Sequence, residues 1–184
     1  WTEYVYDYAN RLWKETDAEG NVTESFYDAA GNLERVERGD AAGNHHRTVA
    51  YAYDGAGRRV SQTETVDPTT TRVTLYGYDR AGNLTTLTGP ENDRNGVPFV
   101  YRTVYDGLNR AVWQKLGEDY WTGDAQWSHT AYDAAGNIVA VTDPRGEYYT
   151  SLYEYDGLGR LVRATRPAGR PDDATPLTQV ESYT

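Results

Sequence analysis

One short phrase constrains this chain more than any other feature. The pattern Tyr-Asp-x-x-(Gly/Asn)-(Asn/Arg) occurs seven times, as YDYANR, YDAAGN, YDGAGR, YDRAGN, YDGLNR, YDAAGN and YDGLGR. The leading tyrosines are Tyr6, Tyr27, Tyr53, Tyr78, Tyr105, Tyr132 and Tyr155, at steps of 21 to 27 residues. A unit this short cannot bury a hydrophobic face alone. A chain made of such units folds by stacking each one on the next.

The phrase reads as a turn. An Asp, two permissive residues and then Gly describe a type I turn closed by a left-handed residue. The aspartates are Asp7, Asp28, Asp54, Asp79, Asp106, Asp133 and Asp156; each carboxylate is placed to accept backbone N–H groups two or three residues on. The left-handed positions are Gly31, Gly57, Gly82, Gly136 and Gly159, with Asn10 and Asn109 in the other two units. Asn is the residue that best tolerates positive φ after Gly, so these exceptions support the turn reading. An enzymatic glycine loop has no reason to vary in that way.

The flanks predict strands. Before each turn, apolar or hydroxyl residues recur at period two: Tyr4/Tyr6, Ser25/Tyr27, Tyr51/Tyr53, Tyr76/Tyr78, Thr103/Tyr105, Thr130/Tyr132 and Tyr153/Tyr155. After the turn come short strands such as NLERV, NLTTL, NIVAV and RLVRA. Further turn signals separate the units: DAEG at Asp17, GDAAGN at Gly39, DPTT at Asp67, GPENDRNG at Gly89 and DPRG at Asp143. The expected fold is all-β, an antiparallel meander of about seven hairpin units and fourteen short strands. Residues 1–184 are expected to be a single array, and the start at Trp1 and end at QVESYT read as an excerpt of a longer one.

The residue after the left-handed position alternates: Arg11, Asn32, Arg58, Asn83, Arg110, Asn137, Arg160. Two readings follow. In one, tips lie side by side and Arg58, Arg110 and Arg160 each reach a carboxylate of an adjacent tip, with Asp28, Asp79 and Asp133 as partners. In the other, the alternation is the residue of a duplicated ancestral pair. An exposed ion pair contributes only about 0–1 kcal/mol, which does not decide between them.

Composition agrees with an all-β chain and narrows function. There are 17 Tyr and no Met, and Tyr suits a half-wet pleated surface. A net charge of −10 argues against general nucleic-acid or anionic-lipid binding. Cysteine is absent, which removes disulfides and thiol chemistry. No apolar run approaches the length of a membrane-spanning helix.

With YDAAGN, YDRAGN, YDGLGRLV and TDPRG in view, the chain resembles the Rhs/YD-repeat proteins. These include bacterial polymorphic toxins, the C components of insecticidal toxin complexes and the animal teneurins. The resemblance implies a β-sheet spiralling into a hollow shell or solenoid that encloses a toxin or presents an adhesive surface. The family's conserved core element, self-cleavage motifs and toxin are not matched, so the resemblance covers shell wall only.

Candidates for chemistry are few. His45, His46 and His129 form no sequence motif, and Ser128–His129 adjacency does not make a triad. The segment Glu91–Gly96, ENDRNG, has oxygen ligands at the first, third and fifth positions of a calcium loop, but Arg102 stands where a loop's twelfth-position Glu belongs. It reads better as an Asn/Asp/Gly-rich turn. Trp121 and Trp127 fall in the irregular stretch Gly117–Thr130, outside the tyrosine period, and are the candidate contact surface.

The expected function is structural: a wall, shell or fibre scaffold of a large secreted or surface bacterial protein, with no reaction, cofactor or metal of its own. Its partners are neighbouring repeats or other copies of the chain, and an enclosed toxin domain. The alternative is a recognition module that binds a glycan or surface protein through Gly117–Thr130.

Overall fold

The computed structural model describes the chain except residues 43, 68, 93–97, 116–126, 169–177 and 184. Fifteen strands follow one another: β1 (Glu3–Tyr6), β2 (Leu12–Thr16), β3 (Val22–Tyr27), β4 (Leu33–Gly39), β5 (His45–Tyr53), β6 (Arg59–Asp67), β7 (Thr70–Tyr78) and β8 (Leu84–Asn92). They continue as β9 (Pro98–Tyr105), β10 (Ala111–Lys115), β11 (Trp127–Tyr132), β12 (Ile138–Thr142), β13 (Thr150–Tyr155), β14 (Leu161–Pro167) and β15 (Thr178–Ser182). Among the described residues one 3-10 turn, Glu147–Tyr149, precedes β13. The strands hydrogen-bond in sequence order as an antiparallel meander, the arrangement expected from the alternating hairpin signals.

One boundary differs from expectation. The GPENDRNG segment was expected to turn from Gly89, yet β8 continues through Gly89 and Pro90 to Asn92. Its neighbours in the sheet are long as well, β7 with nine residues and β9 with eight. A ladder of matched strands extends pairing past a local turn signal.

Every YD hairpin whose register is defined carries a bulge directly after its turn. Tyr27 faces Leu33 while Phe26 faces Arg35, so Glu34 is the extra residue. The same step leaves Trp13, Val60, Val112, Val139 and Val162 unpaired across from a Tyr. A bulge re-aims side chains and adds twist without breaking the hairpin. Here it does so at the same point of each unit.

The chain separates into two compact units, Trp1–Gly77 with Leu87–Phe99, and Tyr78–Thr86 with Val100–Thr184. Within the first, Ser25, Val36, Val49 and Glu64 make one cross-strand row, and Phe26, Arg35, Ala50, Thr63 and Val73 make a row on the opposite face. The Arg35 guanidinium lies 4.0 Å over the Phe26 ring, covering an aromatic that a one-layer sheet leaves open. Within the second, Ala131, Ala140, Leu152, Thr165 and Val180 align. Among the described residues Ala164 is the one fully buried apolar side chain. Packing therefore runs along the ladder between neighbouring strands.

Candidate functional site

The site is the row of hairpin tips, and it begins with a five-residue turn. In the first unit, Asp7 Oδ1 accepts the backbone N–H of Ala9 and of Arg11, each at 2.9 Å. Asp7 Oδ2 accepts Arg11 Nε at 2.8 Å and pairs with Nη2 at 2.7 Å. One carboxylate thus satisfies two turn donors and holds a guanidinium by two bonds. The left-handed positions have φ of 59° at Asn10, 91° at Gly31, 76° at Gly57, 94° at Gly82, 61° at Asn109, 93° at Gly136 and 76° at Gly159.

The alternating residue completes this turn in both classes. Arg58, Arg110 and Arg160 each pair with the Asp of their own turn, Asp54, Asp106 and Asp156, at 2.7 Å. Asn32, Asn83 and Asn137 do the same job with their amides, Nδ2 donating to Asp28, Asp79 and Asp133 at 2.9 Å. This corrects the expectation that each Arg pairs with the carboxylate of an adjacent tip. The second oxygen of Asp28, Asp79 and Asp133 is already engaged by an Asn, and an i,i+4 partner needs less ordering than one on another hairpin.

These bonds hold the turn aspartates below the usual carboxylate range. For Asp7, Asp106 and Asp156 the main cause is the backbone N–H of the closing Arg, followed by its side chain. For Asp28, Asp79 and Asp133 it is the Asn amide. Asp67, which accepts the Thr69 hydroxyl and backbone N–H, is lowered to about 2.

Within each compact unit neighbouring tips lie side by side, and the repeat tyrosine joins them. Tyr27 donates its hydroxyl to the Leu12 carbonyl of the preceding hairpin at 2.9 Å. Tyr53 does so to Leu33 at 2.9 Å, Tyr105 to Leu84 at 3.1 Å and Tyr132 to Ala111 at 3.0 Å. The acceptor is always the residue after the alternating Arg or Asn. In Arg units the guanidinium covers the same ring: Arg11 lies 4.4 Å over Tyr27, and Arg110 lies 4.4 Å over Tyr132. Arg110 Nη1 also donates to the Asp133 carbonyl at 3.4 Å.

Sequence reasoning assigned these tyrosines to sheet packing and missed the hydroxyl's partner. A signal was present. The connector DAEGN folds into the same turn, with Asp17 bonded to Asn21, and Asp40 bonds Asn44 in the same way, yet neither Asp is preceded by Tyr. Tyr is thus dispensable for the turn itself.

Seven copies of one turn, linked by Tyr across neighbouring hairpins, match a known repeat. The sequence profile described as RHS Repeat covers residues 2–45 and 132–171.

The chain carries repeats similar to those of the Rhs/YD-repeat family.

Among Rhs/YD relatives, the chain is 29% identical over 138 residues to human Teneurin-4 (Homo sapiens), an alignment covering 74% of this chain and 5% of that protein. It is 34% identical over 85 residues to Double-stranded DNA deaminase toxin A of Burkholderia cenocepacia (strain H111), covering 44% of this chain and 6% of that one. The chain thus spans about one-twentieth of the length of these relatives. A chain in the crystal structure of TcdB2-TccC3-Cdc42 shares the fold, with a TM-score of 0.70 at 19% identity over 96% of this chain and 9% of that one.

The remaining candidates fall away from the tips. Trp127 is half-buried at the start of β11, opposite Lys115. Trp121 lies outside the described residues, as do residues 93–96 of the calcium candidate Glu91–Gly96. His129 stacks on Trp113, its cross-strand partner, with ring centroids 4.1 Å apart. His45 and His46 open β5. Among the described residues no group of three His, Cys, Asp or Glu is arranged to hold a metal ion.

Proposed function

We propose that this Rhs/YD chain is a structural wall segment: one continuous array of repeat hairpins that forms part of the shell or scaffold of a larger secreted or surface bacterial protein. One observation carries the reading. The repeated residues of the units are spent on closing their own turns and, at Tyr27, Tyr53, Tyr105 and Tyr132, on fastening a hairpin to the preceding one. A surface built for turnover would instead converge polar groups on a cavity. The wall carries out no reaction of its own. The activity in the name of the deaminase toxin belongs to a protein of which this chain matches 6%.

Enclosure of a toxin domain is the finer form of the same proposal, supported by the kind of protein these repeats occur in. The test is protease protection in the full-length parent protein. Replacing Tyr27, Tyr53, Tyr105 and Tyr132 by Phe together should open the wall and expose the enclosed segment to cleavage sooner than in the wild type. Unchanged protection would count against a wall role for these contacts. Adhesion through Gly117–Thr130 predicts glycan-array binding that is lost in Trp127→Ala; the wall reading predicts none.

A further inference from the structure

Arg and Asn tips treat the tyrosine of the next hairpin differently. Arg11 and Arg110 close their own turns and still lie 4.4 Å over the rings of Tyr27 and Tyr132. Arg110 Nη1 also reaches the backbone carbonyl of Asp133, the next turn aspartate. Asn32 closes its turn with a shorter side chain, and its Nδ2 is spent on Asp28. A Cβ at Gly57 would lie 3.9 Å from Asn32 Oδ1, so this oxygen faces the next tip. Among the described residues it accepts no hydrogen bond. Nor does any guanidinium among them cover the Tyr53 ring: Arg59, paired with Tyr53 across the strands, lies over Tyr51 and Tyr76 at 5.5 and 4.9 Å.

At this place the first compact unit has a cleft of about 590 Å³, with Asp28, Asn32, Glu34, Tyr53 and Asp54 in its walls. Two of the carboxylates are already engaged. Both oxygens of Asp28 accept from Asn32, and Asp54 is held by Arg58. Glu34 is different. It is the extra residue of its bulge, where the equivalent positions carry Trp13, Val60, Val112, Val139 and Val162. The bulge itself therefore does not call for a carboxylate. Glu34 is exposed, and among the described residues it has no hydrogen-bond or ion-pair partner.

We propose that this cleft binds a guanidinium group, the arginine side chain of a partner polypeptide. The template is internal: the group lies over Tyr53 as Arg11 lies over Tyr27. Asn32 Oδ1 and the Asp54 carbonyl accept its N–H groups, and Glu34 supplies the charge that the turn aspartate supplies in an Arg tip. A planar cation stacks and donates at once, which an ammonium cannot do. Among the described residues no group of three His, Cys, Asp or Glu is arranged for a metal ion. A net charge of −10 draws a basic segment toward the chain. The site is particular to this tip. At the Asn83 tip the amide is taken up by Asn109, and at the Asn137 tip the bulge residue is Val139.

The probe is the blocked peptide acetyl-Gly-Arg-Gly-amide, titrated into the 184-residue chain while the Tyr53 ring resonances are followed by NMR. They should shift and saturate. The citrulline form of the peptide keeps the shape and loses the charge; the lysine form keeps the charge and loses the plane. Both should bind more weakly, the citrulline form by about fivefold, the weight of one exposed ion pair. Glu34→Val, the residue of four other bulges, should weaken binding of the arginine peptide by a similar factor. Asn32→Arg should abolish it, because the tip's own guanidinium then lies over Tyr53. Both substitutions install residues that sister tips already carry, so the turn accommodates them. Equal binding of the citrulline or lysine form would overturn the proposal, as would unchanged binding in Glu34→Val or in Asn32→Arg. The absence of a saturable shift would overturn it as well, and so would the same shifts produced by an equal concentration of sodium or calcium chloride.

Discussion

Gly136 holds φ at 93° with Arg110 Nη1 beside it, so two constraints meet at one residue. Gly136→Val should cost about 1–2 kcal/mol more than Ala135→Val, because left-handed backbone is strained for a β-branched residue. Comparing the urea midpoints of the two variants checks this; equal midpoints would refute it. The turn aspartates set a pH window at the same scale. Their folded pKa values lie below the unfolded value, which is about 3.9. Their contribution is therefore full above that value and is lost as pH falls through the lowered folded value. Asp106→Asn should be less stable than the wild type at pH 7, with the gap narrowing in acid. A gap that is constant from pH 7 to pH 2 would show that the carboxylate charge is irrelevant. These turns were legible from sequence because every partner lies within four residues of the Asp.

Between elements, the tyrosine hydroxyl is the fastener. Tyr132→Phe keeps the ring under Arg110 and removes only the bond to the Ala111 carbonyl. The expected cost is about 0.5–1.5 kcal/mol. In a double-mutant cycle with Arg110→Lys, the coupling should be non-zero, since both groups act on the same ring and hairpin. Additivity within error would mean the two contacts are independent. The bulge is the second device at this scale. Deleting Val139 removes the extra residue between the Ala131–Ala140 and Tyr132–Ile138 pairs. Either the tip or the strand face must then slip by one residue, which turns side chains to the wrong side. The deletion should abolish amide protection in β11 and β12, whereas Val139→Ala should leave it measurable. Neither device was read from sequence. A bulge has no residue type of its own here, its position being filled by Trp13, Glu34, Val60, Val112, Val139 or Val162.

At the scale of the whole molecule, one fully buried apolar side chain among the described residues marks a chain whose stability is distributed along its ladder. Nearest-neighbour terms then dominate, as in other repeat proteins. Removing residues 1–16, which form β1 and β2, should cost the interactions at that boundary and expose β3 as a new edge. Amide exchange in β11 to β14 should stay close to that of the intact chain. Collapse of protection throughout after this truncation would show a single cooperative core instead.

Sequence alone determined what is local or periodic. It showed seven turns, their left-handed residues and the hairpin meander, because a five-residue turn and a period of two carry their whole physical cause within a few positions. It also exposed the alternation of Arg and Asn, but left open whether each Arg reaches the carboxylate of an adjacent tip. Only the tertiary structure decided that each Arg closes its own turn, that Tyr rather than an ion pair joins neighbouring tips, and that β8 runs through Gly89 and Pro90. The first is a contact four residues long that competes with a partner on another hairpin, and the other two are set by the register of one strand on the next. Register is a property of the assembled ladder, where each bulge and each neighbour's length shifts which atoms meet.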